Sequence, residues 1–346
     1  MRSYAFWNNK GGVGKSFLCF ISSCEYARLN PTAKVYVIDL CPQANTTETL
    51  LGGYEQNPNA LQTIIDSNKK VRPTIAGYLE TRLNSPFQMI SNPHDFVVDV
   101  KKHNAKIPDN LKLICGDNLV EILGEAIRQT SQLSIPVDSW NKVINWVRDL
   151  IYALDKENSG TESVFFIDCN PSFAMYTQLA MAAADSIIVP FTADDSSRRA
   201  LENIAALLYG VGDGHVAAYT KISFAGKAKD NLVSVPKLSY FINNRVTVYD
   251  GQPSAAFKAA SKAIKKTMDD LYTKHKTIFL NPAHKPSESL IDIPDYHSAC
   301  VYATSTGTPI YGIKPGPKTI NGERTQLNKD PLDRYKNSLT SFVQKL

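Results

Sequence analysis

The sequence predicts an α/β protein, a mostly parallel twisted sheet with helices on both faces. Three observations lead there. Apolar runs without polar alternation recur along the chain, among them VYVID (35–39), SVFFID (163–168) and SIIVPF (186–191), which is how strands covered on both faces read. Segments with apolar residues at helical spacing separate them, so crossovers rather than hairpins join the strands. The first unit also turns on glycines: SYAFWN (3–8) runs straight into KGGVGKS (10–16) and then into a helical pattern.

Taken in order, the strand at 3–8 is followed by SFLCFISSCEYARL (16–29), with Phe17, Phe20, Ile21, Cys24 and Ala27 along one stripe. Asn30-Pro31 stops that helix and VYVID begins the next strand, which makes a βαβ unit with an expected right-handed crossover. Residues 54–110 are rich in Asn, Pro and Lys, with a helix expected near 74–83 and a strand near 96–101; they read as an elaboration of the same domain. A helix at 139–156 leads into SVFFID. SIIVPF and KLSYFIN (237–243) continue the sheet, and a short strand is expected at 289–293. The stretch 212–236, with several glycines and lysines, reads as a solvated excursion. A lysine-bearing helix is expected to reach Tyr272. A C-terminal helix at about 329–345 places Leu332, Tyr335, Leu339, Phe342, Val343 and Leu346 on one stripe. Residues 1–346 read as a single domain.

Composition sets outer limits. With 346 residues, 43% hydrophobic and 21% charged, the chain has ample length to bury a core and is neither disordered nor fibrous. A net charge of +5 permits a nucleic-acid or anionic-surface partner without requiring one. The six cysteines, Cys19, Cys24, Cys41, Cys115, Cys169 and Cys300, include no CxxC pair, which suits buried thiols in a reducing compartment better than disulfides or a zinc site. No signal-peptide core and no bilayer-length apolar run is present, so the expected location is the cytoplasm.

Chemistry concentrates at the glycine turn. Gly11, Gly12 and Gly14 let successive backbone N–H groups point at a phosphate, and the following helix adds the positive end of its dipole. Lys15 is placed to reach the β- and γ-phosphates, and the Ser16 hydroxyl to ligate Mg²⁺. A magnesium site needs a carboxylate at a neighbouring strand end, and two strands finish on one, at Asp39 and Asp168.

These segments resemble the ParA/MinD group of P-loop ATPases, and KGGVGKS is similar to its deviant Walker A motif. VIDLCPQANTTETLLG (37–52) resembles the ParA stretch VDLDPQGNAT. VFFIDCNPSF (164–173) and AAADSIIVPF (182–191) resemble DCPPS and ADSVIIPV. LKLICGDNLVEILGEAI (111–127) and DIPDYHSACVYATSTGTPIYGI (292–313) match later blocks of the family in order. PQAN after the first aspartate is a ParA feature, which favours ParA (Soj-like) proteins over MinD or the nitrogenase iron protein. The six cysteines do not match the iron protein's ligand positions.

The resemblance implies a P-loop NTPase fold and a set of roles. Lys10 becomes the signature lysine, which crosses a dimer interface to the partner's nucleotide. The backbone from Gly11 through Val13 to Phe17 cradles the phosphates of ATP, and Ser16, Asp39 and Asp168 hold Mg²⁺ directly or through water. Asn244 and Arg245 match an NR dipeptide, and Pro294, Asp295 and Tyr296 the base-binding loop. Asn243 is an alternative to Asn244.

There are two departures: Phe17 replaces the usual threonine, and Cys41 stands where the family has the aspartate that positions the attacking water. Hydrolysis is therefore expected to be slow, unless a partner or another residue such as Asp194 or Asp195 substitutes. The implied function is a partition ATPase for a plasmid, chromosome or other cargo. It would be an ATP-sandwiched homodimer bound non-specifically to DNA at the nucleoid and released by a ParB-like adaptor. Lysines in KAASKAIKK (258–266) would face the DNA, although a solvated helix face looks the same. A MinD-like membrane-surface ATPase, using the C-terminal helix, and a metabolic ligase of the superfamily are the alternatives.

Overall fold

The computed structural model describes residues 1–67, 70–158, 160–246, 248–249, 252–253 and 255–346. The first βαβ unit is β1 (Arg2–Phe6), α1 (Lys15–Leu29) and β2 (Lys34–Asp39). There follow α2 (Asn45–Leu50), α3 (Ala60–Ser67), α4 (Ile75–Asn84), β3 (Val98–Asp99), β4 (Leu111–Ile114), α5 (Leu119–Thr130), α6 (Ser139–Ile144) and α7 (Trp146–Glu157). The middle of the chain contributes β5 (Ser163–Asp168), α8 (Met175–Ala183), β6 (Ser186–Phe191), α9 (Asp195–Tyr209), α10 (Gly214–Tyr219), α11 (Phe224–Asp230) and β7 (Lys237–Val246). After the small hairpin β8 (Val248–Tyr249) and β9 (Gln252–Pro253) come α12 (Ala255–Lys274), β10 (Ile291–Pro294), α13 (His297–Thr306), the hairpin β11 (Gly316–Ile320) and β12 (Glu323–Leu327), and α14 (Lys329–Val343).

Eight strands form one sheet in the order β10-β7-β6-β1-β5-β2-β4-β3, parallel except where β3 meets β4. β1 lies at the centre, with Arg2 opposite Val164 of β5 and Tyr4 opposite Ser186 of β6. Period-two alternation sends neighbouring residues to opposite cores. Phe165 joins the face covered by α4 to α9 and α12, stacked on Tyr36 at 4.9 Å, while Phe166 joins the face covered by α1, α13 and α14. This is the predicted fold class.

Several details differ from the sequence reading. The helix at 139–156 is two helices, because the Asn145 side chain donates to the Asn141 carbonyl at 2.8 Å and competes with the ladder. The strand near 96–101 is only Val98–Asp99, flanked by single tight turns. β4 went unread: it is four residues long, and Lys112 interrupts its apolar run by reaching Asp99 at 3.0 Å. The stretch 212–236 is not simply solvated. It holds α10 and α11 and buries Phe224, Ala225 and Ala228; Gly226 permits that approach, since a Cβ there would lie 2.1 Å from the Thr220 carbonyl.

α14 buries Leu332, Tyr335, Leu339, Phe342 and Val343 against α1 and β10. Freeing it for a membrane would expose five large side chains at about 1.5–3 kcal/mol each, so this packing weighs against the MinD-like alternative. Among the described residues, no helix is long and apolar enough to cross a membrane.

Candidate nucleotide site

The turn between β1 and α1 is fixed from below. Buried Asn8 donates to the Pro190 carbonyl at 2.8 Å and accepts from the Lys10 N–H at 2.9 Å, which straps the turn to the end of β6. Gly12 and Gly14 take φ of 75° and 87°, the left-handed region where a side chain strains the backbone. A Cβ on Gly12 would meet nothing within 4 Å, so the cradle is open above. No side chain caps α1, and its first N–H groups are left for a ligand. Lys15 is 6% exposed and its ammonium donates to the Lys10 carbonyl at 2.9 Å. Burial lowers its pKa, while Asp168 opposes that shift.

A cavity of about 390 Å³ opens over this turn, lined by Gly11, Gly12, Lys15, Ser16, Cys41 and Asn170 among others. Gly14, Phe17 and Arg245 also border a second cavity of about 140 Å³, so the two are contiguous. Asn244, Pro294, Asp295, His297, Cys300 and Tyr335 line the second. The pair suits a triphosphate next to a flat ring. Asn244 takes its predicted place and donates to the Val13 carbonyl at 2.9 Å, whereas Asn243 turns to Asp292 at 2.8 Å and is fully buried. Arg245 sits at the junction with φ 59°. Tyr296 stands apart from these residues. Its hydroxyl accepts from the Asn328 N–H at 2.6 Å, and it does not line the cavity. His297, Cys300, Val301 and Thr304 of α13 do so instead, on a helical spacing that periodicity could have exposed.

The two strand-end carboxylates face each other with different partners. Asp39 accepts from the Cys41 N–H at 3.1 Å and from the N–H and hydroxyl of Thr47 at 2.9 and 2.8 Å. These bonds order the turn after β2. Asp168 accepts from Thr46 at 2.7 Å and lies near the Ser16 side chain, and its Oδ1 is buried without a hydrogen-bond partner. That orphaned oxygen beside the Ser16 hydroxyl fits a hard cation. Among the described residues there is no cluster of three or more His, Cys, Asp or Glu that could hold a metal alone, so a phosphate would have to complete the shell. Thr46 and Thr47 were missed; their signal is the TT pair opening α2.

Burial pushes both carboxyls up toward neutrality, and for Asp39 the neighbouring Asp168 charge adds to this. A folded-state pKa raised above the unfolded value contributes stability that is present below the ordinary carboxylate range and lost as pH rises through the raised value. Nucleotide-free protein should therefore lose stability from this pair between about pH 4 and pH 7. In Asp168→Asn the slope should be shallower by up to about 1.4 kcal/mol per pH unit, read from urea midpoints at pH 5 and pH 7. Equal slopes would show that the pair is not coupled to folding.

Cys41 is 5% exposed, and its sulfur lies 3.9 Å from the Asn170 Nδ2. Burial, with Asp168 and Asp39 nearby, pushes its thiol up to about 12. Lys10 does not line the cavity over the turn: its ammonium meets Asp194 in an ion pair and donates to the Thr192 hydroxyl at 2.9 Å. Asp194, one of the groups that could stand in for the missing aspartate, is here paired with that lysine. The side chain of Asp195 lies outside the described residues. Lys258, Lys262, Lys265 and Lys266 are exposed on α12, whose other face buries Ile264, Met268 and Tyr272.

A family model described as an AAA domain matches residues 1–120. The virulence-plasmid ParA family protein pGP5-D of Chlamydia psittaci is 25% identical over 213 residues, 62% of this chain. The chain spans about 65% of the length of that relative. Among solved structures, McdA of Cyanothece without nucleotide shares the fold at a TM-score of 0.60 and 16% identity, over 98% of this chain and 99% of that one. A complex of Cyanothece McdA, in a singly substituted form, with ATP gives 0.61 at 15% identity, over 100% and 97%. A plasmid partition protein of Borrelia burgdorferi bound to AMPPNP gives 0.53 at 17%, over 100% and 99%.

Proposed function

We infer that this chain, which resembles the ParA/MinD group of P-loop ATPases in fold and in its first 120 residues, is a partition ATPase that binds ATP, pairs through it and holds DNA non-specifically. The observation that carries the reading is the division of labour between two lysines. Lys15 is buried in an open glycine cradle, and the Lys10 ammonium, five residues earlier, is held by Asp194 and Thr192 instead.

The chain's own residues account for each step. The N–H groups of residues 11–16 and the Lys15 ammonium receive the phosphates, and the Asn244 and Arg245 cavity receives the base. Ser16 and Asp168 would hold Mg²⁺, which neutralises charge on the terminal phosphates when bound. Lys10 supplies a second ammonium only when two subunits meet, so the interaction is realised in the dimer. Cys41 and Asn170 border the space where water must stand; a thiol is a weak acceptor there, so turnover is slow. Release from DNA is assigned to a ParB-like adaptor.

DNA binding tests the reading. With a slowly hydrolysed ATP analogue, light scattering should show a dimer. Fluorescence anisotropy should show affinity for random duplex DNA that falls steeply with salt. The triple variant Lys262→Glu, Lys265→Glu, Lys266→Glu should lose that affinity, and any residual log–log slope should drop by about 0.9 for each phosphate contact removed. Binding indifferent to both nucleotide and salt would exclude this use of α12.

A further inference from the structure

Lys10 is held on its own chain by a closed set of contacts. Its ammonium pairs with Asp194 and donates to Thr192 at 2.9 Å, and the Thr192 hydroxyl donates to Asp194 Oδ2 at 2.8 Å. The other oxygen of Asp194 accepts from the Ser196 hydroxyl at 2.7 Å and from the Ser197 N–H at 3.0 Å, which makes Asp194 the N-cap of the fifteen-residue helix α9. The backbone of Lys10 is tied as well, its N–H to Asn8 and its carbonyl to Lys15. The lysine is therefore anchored at both ends. Its side chain is 25% exposed and that of Asp194 44%, so the ion pair is reachable by solvent and weak enough to exchange.

We propose that Asp194 is a positioning residue that clasps Lys10 in cis, and that pairing of two subunits requires the ammonium to leave this carboxylate for the partner's phosphates. The clasp rests on the trans role proposed for Lys10. It adds a threshold: a subunit without a facing triphosphate keeps its lysine, and Asp194 sets how much nucleotide is needed to release it.

The test is Asp194→Asn. Asparagine caps a helix as well as aspartate, so the fold is kept while the charge is removed; an unchanged thermal midpoint checks this. Dimerisation should be titrated by light scattering against a slowly hydrolysed ATP analogue. The variant is expected to reach half-dimer at about two- to five-fold lower analogue concentration, the range that an exposed ion pair commands. High salt should narrow that gap, because it screens the pair in the natural protein. Binding of analogue to dilute monomer should not change. In a Lys10→Ala background, Asp194→Asn should have no effect. A Lys10→Ala protein that dimerises normally would remove the trans role itself. If Lys10→Ala fails to dimerise but Asp194→Asn leaves the midpoint in place, or moves it upward, the trans role stands and the clasp is overturned.

Discussion

Cys41→Asp is expected to raise basal phosphate release about 10²-fold or more under saturating Mg²⁺ and ATP, within the range of about 10²–10⁴ that a well-placed general base contributes. Cys41 borders the phosphate cavity and its backbone N–H is fixed by Asp39, so a carboxylate substituted there inherits a defined position. The thiol it replaces stays protonated at any physiological pH, held up to about 12 by burial and the two nearby carboxylates. The same surroundings will raise the pKa of the new carboxyl, since a third negative charge enters beside Asp39 and Asp168. The variant's rate should accordingly climb with pH as that group ionises, a rise that the protonated thiol of the natural protein does not supply. Natural protein that already turns over as fast as the variant would mean that another group holds the water.

Lys15→Ala should weaken ATP binding by roughly one to two orders of magnitude, taking about 1.5–3 kcal/mol for a lost hydrogen bond to a charged group. Lys15 is the buried cation of the cradle, and it faces Asp168. Its loss removes the phosphate's partner and also leaves Asp168 without its nearest counter-charge, so the nucleotide-free fold should weaken too. Lys15→Arg is not expected to restore binding, because a planar fork does not fit where a compact ammonium meets the Lys10 carbonyl. Calorimetry with an ATP analogue decides the matter; affinity within twofold of the natural protein would sink the assignment.

The cradle was legible because its information is local. Three glycines, two lysines and a serine sit within seven residues, between a strand and a helix whose periodicities are clean. Asp39 and Asp168 were legible as charges ending apolar strands, but their different duties were not. Those depend on which oxygen Thr46, Thr47 and Cys41 happen to reach. The Lys10–Asp194 pair joins residues 184 positions apart, and nothing in either segment announces the other. Where Tyr296 would sit was not legible, because a motif names a stretch, whereas the start of α13 determines which of its side chains line the cavity. Short β4 and the break at Asn145 lie below the length at which periodicity speaks.

The central place of β1 has a consequence for biosynthesis. This strand is made well before the two it hydrogen-bonds to, β5 and β6, whose last member is Phe191. At roughly 5–20 residues per second, a ribosome needs on the order of 10–40 s to travel from the one to the other. Throughout that interval Phe6 and Trp7 lack the neighbouring strands that bury them, α1 has only the β2–β4 pair to pack on, and Asn8 has no Pro190 carbonyl to strap the turn. The nascent chain thus carries its phosphate motif long before it can grip a phosphate. Nucleotide can stabilise the protein only after Phe191 has emerged, and early folding must rely on whatever shields the β1–α1 segment in the meantime.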